Sequence, residues 1–79
     1  MPKMTQQKPR VQDLFDRTGL SQNEFGAKSG VWAGTIGKAL KGEYISRLTA
    51  TRIVNALNKI LGTDYTLAEV EGLNYEKGA

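Results

Sequence analysis

The chain has 79 residues and a formal net charge of +3, and 39% of its residues are hydrophobic, a composition typical of one small globular domain. It contains neither cysteine nor histidine, which excludes disulfides and thiolate metal sites and removes the commonest general base. We therefore expect a protein that is not an enzyme and that binds no cofactor or metal.

Basic residues are concentrated in the first two-thirds of the chain. Residues 1–52 carry nine Lys and Arg against four Asp and Glu, whereas residues 53–79 carry two against four. This distribution favours a polyanionic partner, although an ordinary solvated surface gives the same count. No apolar run approaches the roughly 18 residues of a membrane span, and the start MPKMTQQKPR lacks the apolar core of a secretory signal. We expect a cytoplasmic protein that makes no membrane contact.

The first helix follows a polar stretch, residues 1–8, which is predicted to be a disordered arm. Pro9 is suited to a first helical turn, and the helix is expected to end at Gly19. Its apolar stripe consists of Val11, Leu14 and Phe15.

A capping box marks the start of the second helix. The Ser21 hydroxyl can accept from the amide of Glu24, and the Glu24 carboxylate can reach back to the amide of Ser21. Leu20 and Phe25 are spaced as a hydrophobic staple across this start, and Gly30 sets the end of the helix.

The third helix is predicted over residues 32–40, with Gly42 as a left-handed stop. A helical wheel groups Ile36, Ala39 and Leu40 on an inward face. The outward face holds two glycines, each of which costs roughly 0.5–1 kcal/mol relative to alanine but allows another backbone to come close. The outward residues are Ala33, Gly34, Gly37, Lys38 and Lys41.

The fourth helix has the strongest pattern in the chain, with Ser46 as N-cap and Gly62 as its end. Its apolar residues fall within one arc of the wheel. They are Ala50, Ile53, Val54, Leu57, Ile60 and Leu61.

A second capping box predicts a short fifth helix near the C-terminus. It spans Thr66 to Glu69, with Tyr65 and Val70 as its staple, and the helix is expected to reach about Glu71. Residues 73–79 are then predicted to be a frayed tail.

Two enzyme-like patterns fail on their spacing. Lys38 is followed by alanine instead of the hydroxyl residue of a phosphate loop, and Trp32 stands where that loop needs its first glycine. Asp13 and Asp16 are most simply solvated charges on the first helix.

The stretch GLSQNEFGAKSGVWAGTIGKALKG, residues 19–42, resembles the helix-turn-helix of the Xre/Cro family of phage and bacterial repressors. The resemblance lies in Ser21-Gln22, Phe25, Gly30, Thr35-Ile36 and Gly42, and it extends over about residues 8–72. It implies an all-α, compact five-helix domain of the lambda-repressor-like fold over residues 9–72. It also implies a nucleoid-associated transcriptional regulator, a repressor or an activator, whose partner is double-stranded DNA.

The resemblance implies that helix three enters the major groove while helix two crosses the DNA backbone. Gln22 occupies the family's phosphate-contacting position, and the loop with Tyr44, Ser46 and Arg47 tracks the backbone. Lys38 and Lys41 face phosphates or bases. The full candidate set is Gln22, Trp32, Ala33, Gly34, Thr35, Gly37, Lys38, Lys41, Tyr44, Ser46 and Arg47.

Departures from the family pattern concern sequence readout. The positions that usually read bases hold Ala33, Gly34, Gly37 and Lys38, and three of these four side chains cannot form hydrogen bonds. Readout is left to Lys38 on guanine, the Ala33 methyl on thymine, and DNA shape. Gly26 replaces a usual alanine and indicates a close helix crossing.

Trp32 is a second departure, because a small capping residue is commoner at the start of helix three. The helical wheel places Trp32 toward the core side, where it could fill space beside Ala39. The alternative is that its ring stacks on a sugar or a base edge.

Two further expectations concern partners. A protein-interaction module of the same fold, with its glycine face against a partner helix, is the alternative to DNA binding. If the domain binds DNA, we expect a homodimer, since one module buries only about 600–1,000 Å² on DNA. Helix five and the tail, with Tyr65, Leu73 and Tyr75, would form the dimer interface.

Overall fold

A computed structural model of the protein describes residues 8–76. This part of the chain is mostly helical, as predicted, with α1 at Val11–Thr18, α2 at Gln22–Ser29, α3 at Ala33–Leu40 and α4 at Arg47–Leu61. Two short strands accompany the helices, β1 at Tyr44–Ile45 and β2 at Asn74–Tyr75. Residues 1–7 of the predicted arm and residues 77–79 of the predicted tail lie outside the described range. No helix within residues 8–76 has both the length and the apolar character that crossing a membrane requires.

Side-chain caps fix the start of α2 as the sequence predicts. The Ser21 Oγ accepts from the Glu24 amide at 3.1 Å, and the Glu24 carboxylate accepts from the Ser21 amide at 2.9 Å. The hydrogen bond from the Ser21 backbone favours the ionised carboxylate and lowers the pKa of Glu24. The contribution of this cap is therefore present at neutral pH and is lost as the pH falls through that lowered pKa.

The predicted glycine ends of α1, α2 and α4 are confirmed. Gly30 closes α2 with a φ of +77°, in the left-handed region that glycine adopts without steric cost, and its amide donates to the Gly26 carbonyl at 2.9 Å. At α4, the Ser46 Oγ accepts from the Thr49 amide at 3.1 Å and Gly62 follows the last helical residue.

The core lies where the apolar stripes of the helices converge. Phe25 from α2 is fully buried, and its ring meets that of Phe15 from α1 edge to face, with centroids 5.5 Å apart. In the predicted stripe of α4, Ile60 and Leu61 are half-buried and the other four residues are buried. The buried apolar residues are Val11, Leu14, Phe25, Val31, Ile36, Ala39, Ile45, Ala50, Ile53, Val54, Ala56, Leu57, Val70, Leu73 and Tyr75.

The predicted fifth α-helix is wrong, because Leu67–Glu69 forms only a short 3₁₀ helix. The Glu69 carboxylate does accept from the Thr66 amide at 2.8 Å, so the cap is present without the helix. After Glu69 the chain is no longer helical, because its backbone forms hydrogen bonds with a distant segment instead. The Glu71 amide donates to the Pro9 carbonyl at 2.8 Å, and the Glu71 carbonyl accepts from the Val11 amide at 2.7 Å. A segment this short has too few helical hydrogen bonds to resist that pairing.

The expected frayed tail is also wrong for residues 73–76. Strand β2 pairs in parallel with β1, with Asn74 opposite Tyr44 and Tyr75 opposite Ile45. Leu73 and Tyr75 are buried in the core of their own chain. Neither side chain is therefore available to a second copy, and the expected dimer interface loses two of its three residues; the third, Tyr65, is half-buried against the core.

Candidate nucleic-acid interface

Helix α3 presents one face to the core and the other to solvent. Ile36 and Ala39 are buried, whereas Gly34, Lys38 and Lys41 are exposed. The remaining candidate residues of the helix, Ala33, Thr35 and Gly37, are half-buried. The outward placement of the lysines and of Gly34 therefore agrees with the helical wheel.

A close crossing at Gly26 positions α3. A β-carbon at Gly26 would lie 2.6 Å from the Val31 carbonyl oxygen and 3.3 Å from the Ala33 amide nitrogen. Three donors, from the Gly30 amide, the Val31 amide and the Ser29 hydroxyl, converge on the Gly26 carbonyl at 2.9–3.3 Å. The predicted close crossing of α2 at Gly26 is confirmed, and it packs the start of α3 directly against α2.

The structure brings Gln22 and Gly37 together. A β-carbon at Gly37 would lie 3.0 Å from the Gln22 Oε1, whereas one at Gly34 would meet nothing within 4 Å. The absent side chain of Gly37 thus leaves room for the exposed amide of Gln22 against α3. Sequence spacing alone gives no sign of this proximity, since the two residues belong to different helices.

The expectation that Trp32 packs in the core is wrong, because its side chain is 83% exposed. Trp32 is the N-cap residue of α3, with φ −55° and ψ 141°, and makes no side-chain capping hydrogen bond. A helical wheel does not apply to a residue with non-helical dihedrals, so its direction could not be read from the pattern. The only tryptophan of the chain consequently stands in solvent at the start of α3.

The segment between α3 and α4, together with the first residue of α4, carries the remaining candidates. Tyr44 is 61% exposed and Arg47 is exposed, whereas the Ser46 hydroxyl already donates to Thr49 Oγ1 at 2.8 Å as part of its cap. The Asn74 side-chain amide donates to the Gly42 carbonyl at 3.2 Å. Strand β2 therefore holds this loop in place, a positioning role that the sequence did not reveal.

We define the α3 surface as the exposed residues Trp32, Gly34, Lys38, Lys41, Tyr44 and Arg47. Its three basic side chains form no ion pair with any other residue among 8–76. The loop adds one exposed acid, Glu43, so the local balance is three positive charges to one negative. Leu48, 59% exposed in the first turn of α4, borders this surface in sequence. Leu48 is not among the site residues predicted from the sequence, although its position outside the apolar stripe of α4 can be seen there.

Comparisons with known proteins do not assign a function to the α3 surface. No family model, curated protein or solved structure matches the chain. The function of this surface is therefore inferred from its own geometry and charge.

The two glycines of the outward face give a matched pair of substitutions. We expect Gly34→Ala to stabilise the free protein by about 0.5–1 kcal/mol, because helical alanine loses less backbone entropy and the site is open. Gly37→Ala should gain less, since its methyl must displace the Gln22 side chain. Both should weaken DNA binding if DNA covers this face. Thermal melts and DNA titrations measure the two effects.

A loss of stability in Gly34→Ala would show that the helix face is not open as described. A gain in stability with unchanged DNA affinity in both variants would favour a contact elsewhere or a protein partner. The Gln22→Ala background separates the two glycines, because only the effect of Gly37→Ala on binding should shrink there.

Proposed function

We propose that the protein is a DNA-binding transcriptional regulator of prokaryotic or phage type. In this proposal α2 and α3 form a helix-turn-helix within a lambda-repressor-like domain, in which a 3₁₀ turn takes the place of the expected fifth helix. Helix α3 lies in the major groove of double-stranded DNA, and α2 crosses the backbone.

The observation that carries this proposal is the composition of the α3 surface. Gly34 adds no side chain to the exposed side of α3. The three basic side chains of the surface have no acidic partner among the described residues. A helix that projects little side-chain volume can approach the floor of a groove, while Lys38, Lys41 and Arg47 reach the phosphates beside it. Basic side chains without acidic partners, placed around a helix face with little side-chain volume, are suited to the phosphates that border the groove of a duplex.

The proximity of Gln22 and Gly37 supports the same orientation. The Gln22 amide lies against α3 and at the first residue of α2, where the exposed amides of a helix start add positive partial charge. A phosphate bound there would lie beside the face of α3 that enters the groove. One contact on α2 thus fixes the register of α3.

Salt dependence tests this function. We expect the affinity for duplex DNA to fall with added salt, with a slope of about −3 in log K against log salt for three basic contacts in one chain. Lys38→Gln, Lys41→Gln and Arg47→Gln should each reduce the magnitude of that slope by about one and weaken binding to all sequences alike. Fluorescence anisotropy of a labelled duplex at several salt concentrations measures both quantities.

Lys59→Gln is the matched control, because it removes the same charge elsewhere. Lys59 lies in the last turn of α4 and lines a groove with Leu20 and Lys28. Its slope should equal that of the unaltered protein. Equal slopes in all five proteins, the unaltered protein included, would contradict the proposed face.

A second candidate, a protein-interaction module, is favoured by the exposed apolar side chains. Trp32, Tyr44 and Leu48 are the large hydrophobic residues most exposed among residues 8–76, and aromatic residues are enriched in protein interfaces. Binding to such a partner lacks the steep salt dependence of phosphate contacts. The same titration therefore separates the two functions.

A further inference from the structure

We infer that the start of α3, at Trp32, Ala33 and Gly34, is an apolar reader of thymine methyl groups in the major groove, with Trp32 as its main contact. This inference rests on the proposed function and names the class of DNA that the surface selects. The preferred site is a duplex rich in thymine at the positions beneath the start of α3.

The exposure of Trp32 is the first reason. Most of its side chain is in solvent, at the end of α3 that a helix in the major groove directs toward base edges. Aromatic side chains are among the largest sources of buried apolar area in interfaces. The other members of the α3 surface are Gly34, Tyr44 and three basic residues, so the Trp32 ring is its largest and most exposed apolar group.

The second reason is what the neighbouring residues lack. Ala33 offers a methyl group and Gly34 offers no side chain, and nothing lies within 4 Å of the open side of Gly34. Trp32 contributes only an indole N–H donor. The start of α3 therefore has no amide or guanidinium that could bond two groups of one base edge.

The start of α3, which has no amide or guanidinium side chain, prefers the base that offers it an apolar group. Thymine alone among the four DNA bases presents a methyl group in the major groove, whereas guanine and cytosine present polar groups and no methyl group there. Covering those polar edges with an apolar surface removes their water without replacing its hydrogen bonds. Both kinds of base pair present such polar groups, but only the A·T pair also offers a methyl group, so covering thymine brings an apolar gain that a G·C pair cannot give.

Methyl groups can be removed and added on DNA without altering its charge. The probes are four duplexes of equal length: alternating A and T, the same with deoxyuridine for every thymidine, alternating G and C, and the same with 5-methylcytosine for every cytidine. We expect the deoxyuridine duplex to bind about fourfold more weakly for each methyl group covered, and 5-methylcytosine to strengthen binding by a similar factor.

Variants of Trp32 assign the effect to its ring. In Trp32→Ala the ratio of affinities for the thymidine and deoxyuridine duplexes should fall toward one, while the slope of affinity against salt stays unchanged. Trp32→Phe keeps an apolar ring and should keep most of the ratio. Because Trp32 is the only tryptophan, its emission should also shift to shorter wavelength on the thymidine duplex.

The outcomes separate the inference from the function. Salt-dependent binding with equal affinity for the thymidine and deoxyuridine duplexes overturns the inference and leaves DNA binding intact. An unchanged ratio in Trp32→Ala likewise overturns the role of Trp32. No binding to any duplex overturns the proposed function together with the inference.

Discussion

Replacement of Phe25 by alanine is expected to cost about 3–5 kcal/mol of the free energy of unfolding. Phe25 has no exposed surface and its ring packs edge to face on Phe15, so the substitution removes a large buried side chain and leaves a cavity between α1 and α2. Whole domains are stable by only about 5–15 kcal/mol, and a domain this small lies toward the lower end. The variant should therefore be close to unfolding at room temperature, as measured by denaturant titration.

Leu48→Ala is the control for this substitution, because it shortens an apolar side chain that is 59% exposed. Surface changes of this kind usually stay within about 0.5 kcal/mol. A similar cost in the two variants would contradict the placement of Phe25 at the centre of the core. Added duplex DNA should restore part of the lost stability of Phe25→Ala if the folded form alone binds DNA.

The features that the sequence predicts are local ones. The capping box at Ser21, the N-cap at Ser46 and the terminal glycines Gly19, Gly30 and Gly62 each act within a few residues of their own position. The hydrophobic stripe of α4 is similarly a property of one helix. Short-range hydrogen bonds and steric limits on φ operate whatever the rest of the chain does, so both bounds of α2 and α4 and the end of α1 follow from them.

The features that the sequence misses depend on distant residues. The capping pattern at Thr66 is satisfied, yet the chain leaves the helix after Glu69 to bond with Pro9 and Val11. Strand β2 forms only because β1 lies beside it, 30 residues earlier in the chain. Apolar residues in a short C-terminal stretch do not reveal whether they serve this core or a second copy.

The candidate surface was predictable in part. The wheel placed Gly34 and Lys38 outward, since they lie inside a regular helix, and Lys41, which directly follows the helix as its C-cap residue. It misplaced Trp32, whose dihedrals at the N-cap are not helical. The proximity of Gln22 and Gly37 depends on the crossing of α2 and α3, which the sequence indicates only through the glycine at position 26.

The crossing of α2 and α3 leads to the second large effect, in Gly26→Ala. Alanine is normally the better helix former by about 1 kcal/mol, but the added methyl would lie 2.6 Å from the Val31 carbonyl oxygen. The obstructing atoms belong to the backbone of the turn and cannot rotate away, so α3 must move off α2. We expect a net loss of about 1–3 kcal/mol in the free energy of unfolding, measured by denaturant titration.

Gly34→Ala is the matched control, because it makes the same substitution one helix further along, at an open site, and should stabilise the protein. Opposite signs in the two variants would show that packing against the turn, and not helix propensity, sets the requirement for glycine at position 26. If the protein binds DNA as proposed, Gly26→Ala should also weaken that binding beyond its loss of stability, since shifting the start of α3 moves Gly37 relative to Gln22. A stabilised Gly26→Ala protein with full DNA affinity would contradict both the close crossing and its role in positioning α3.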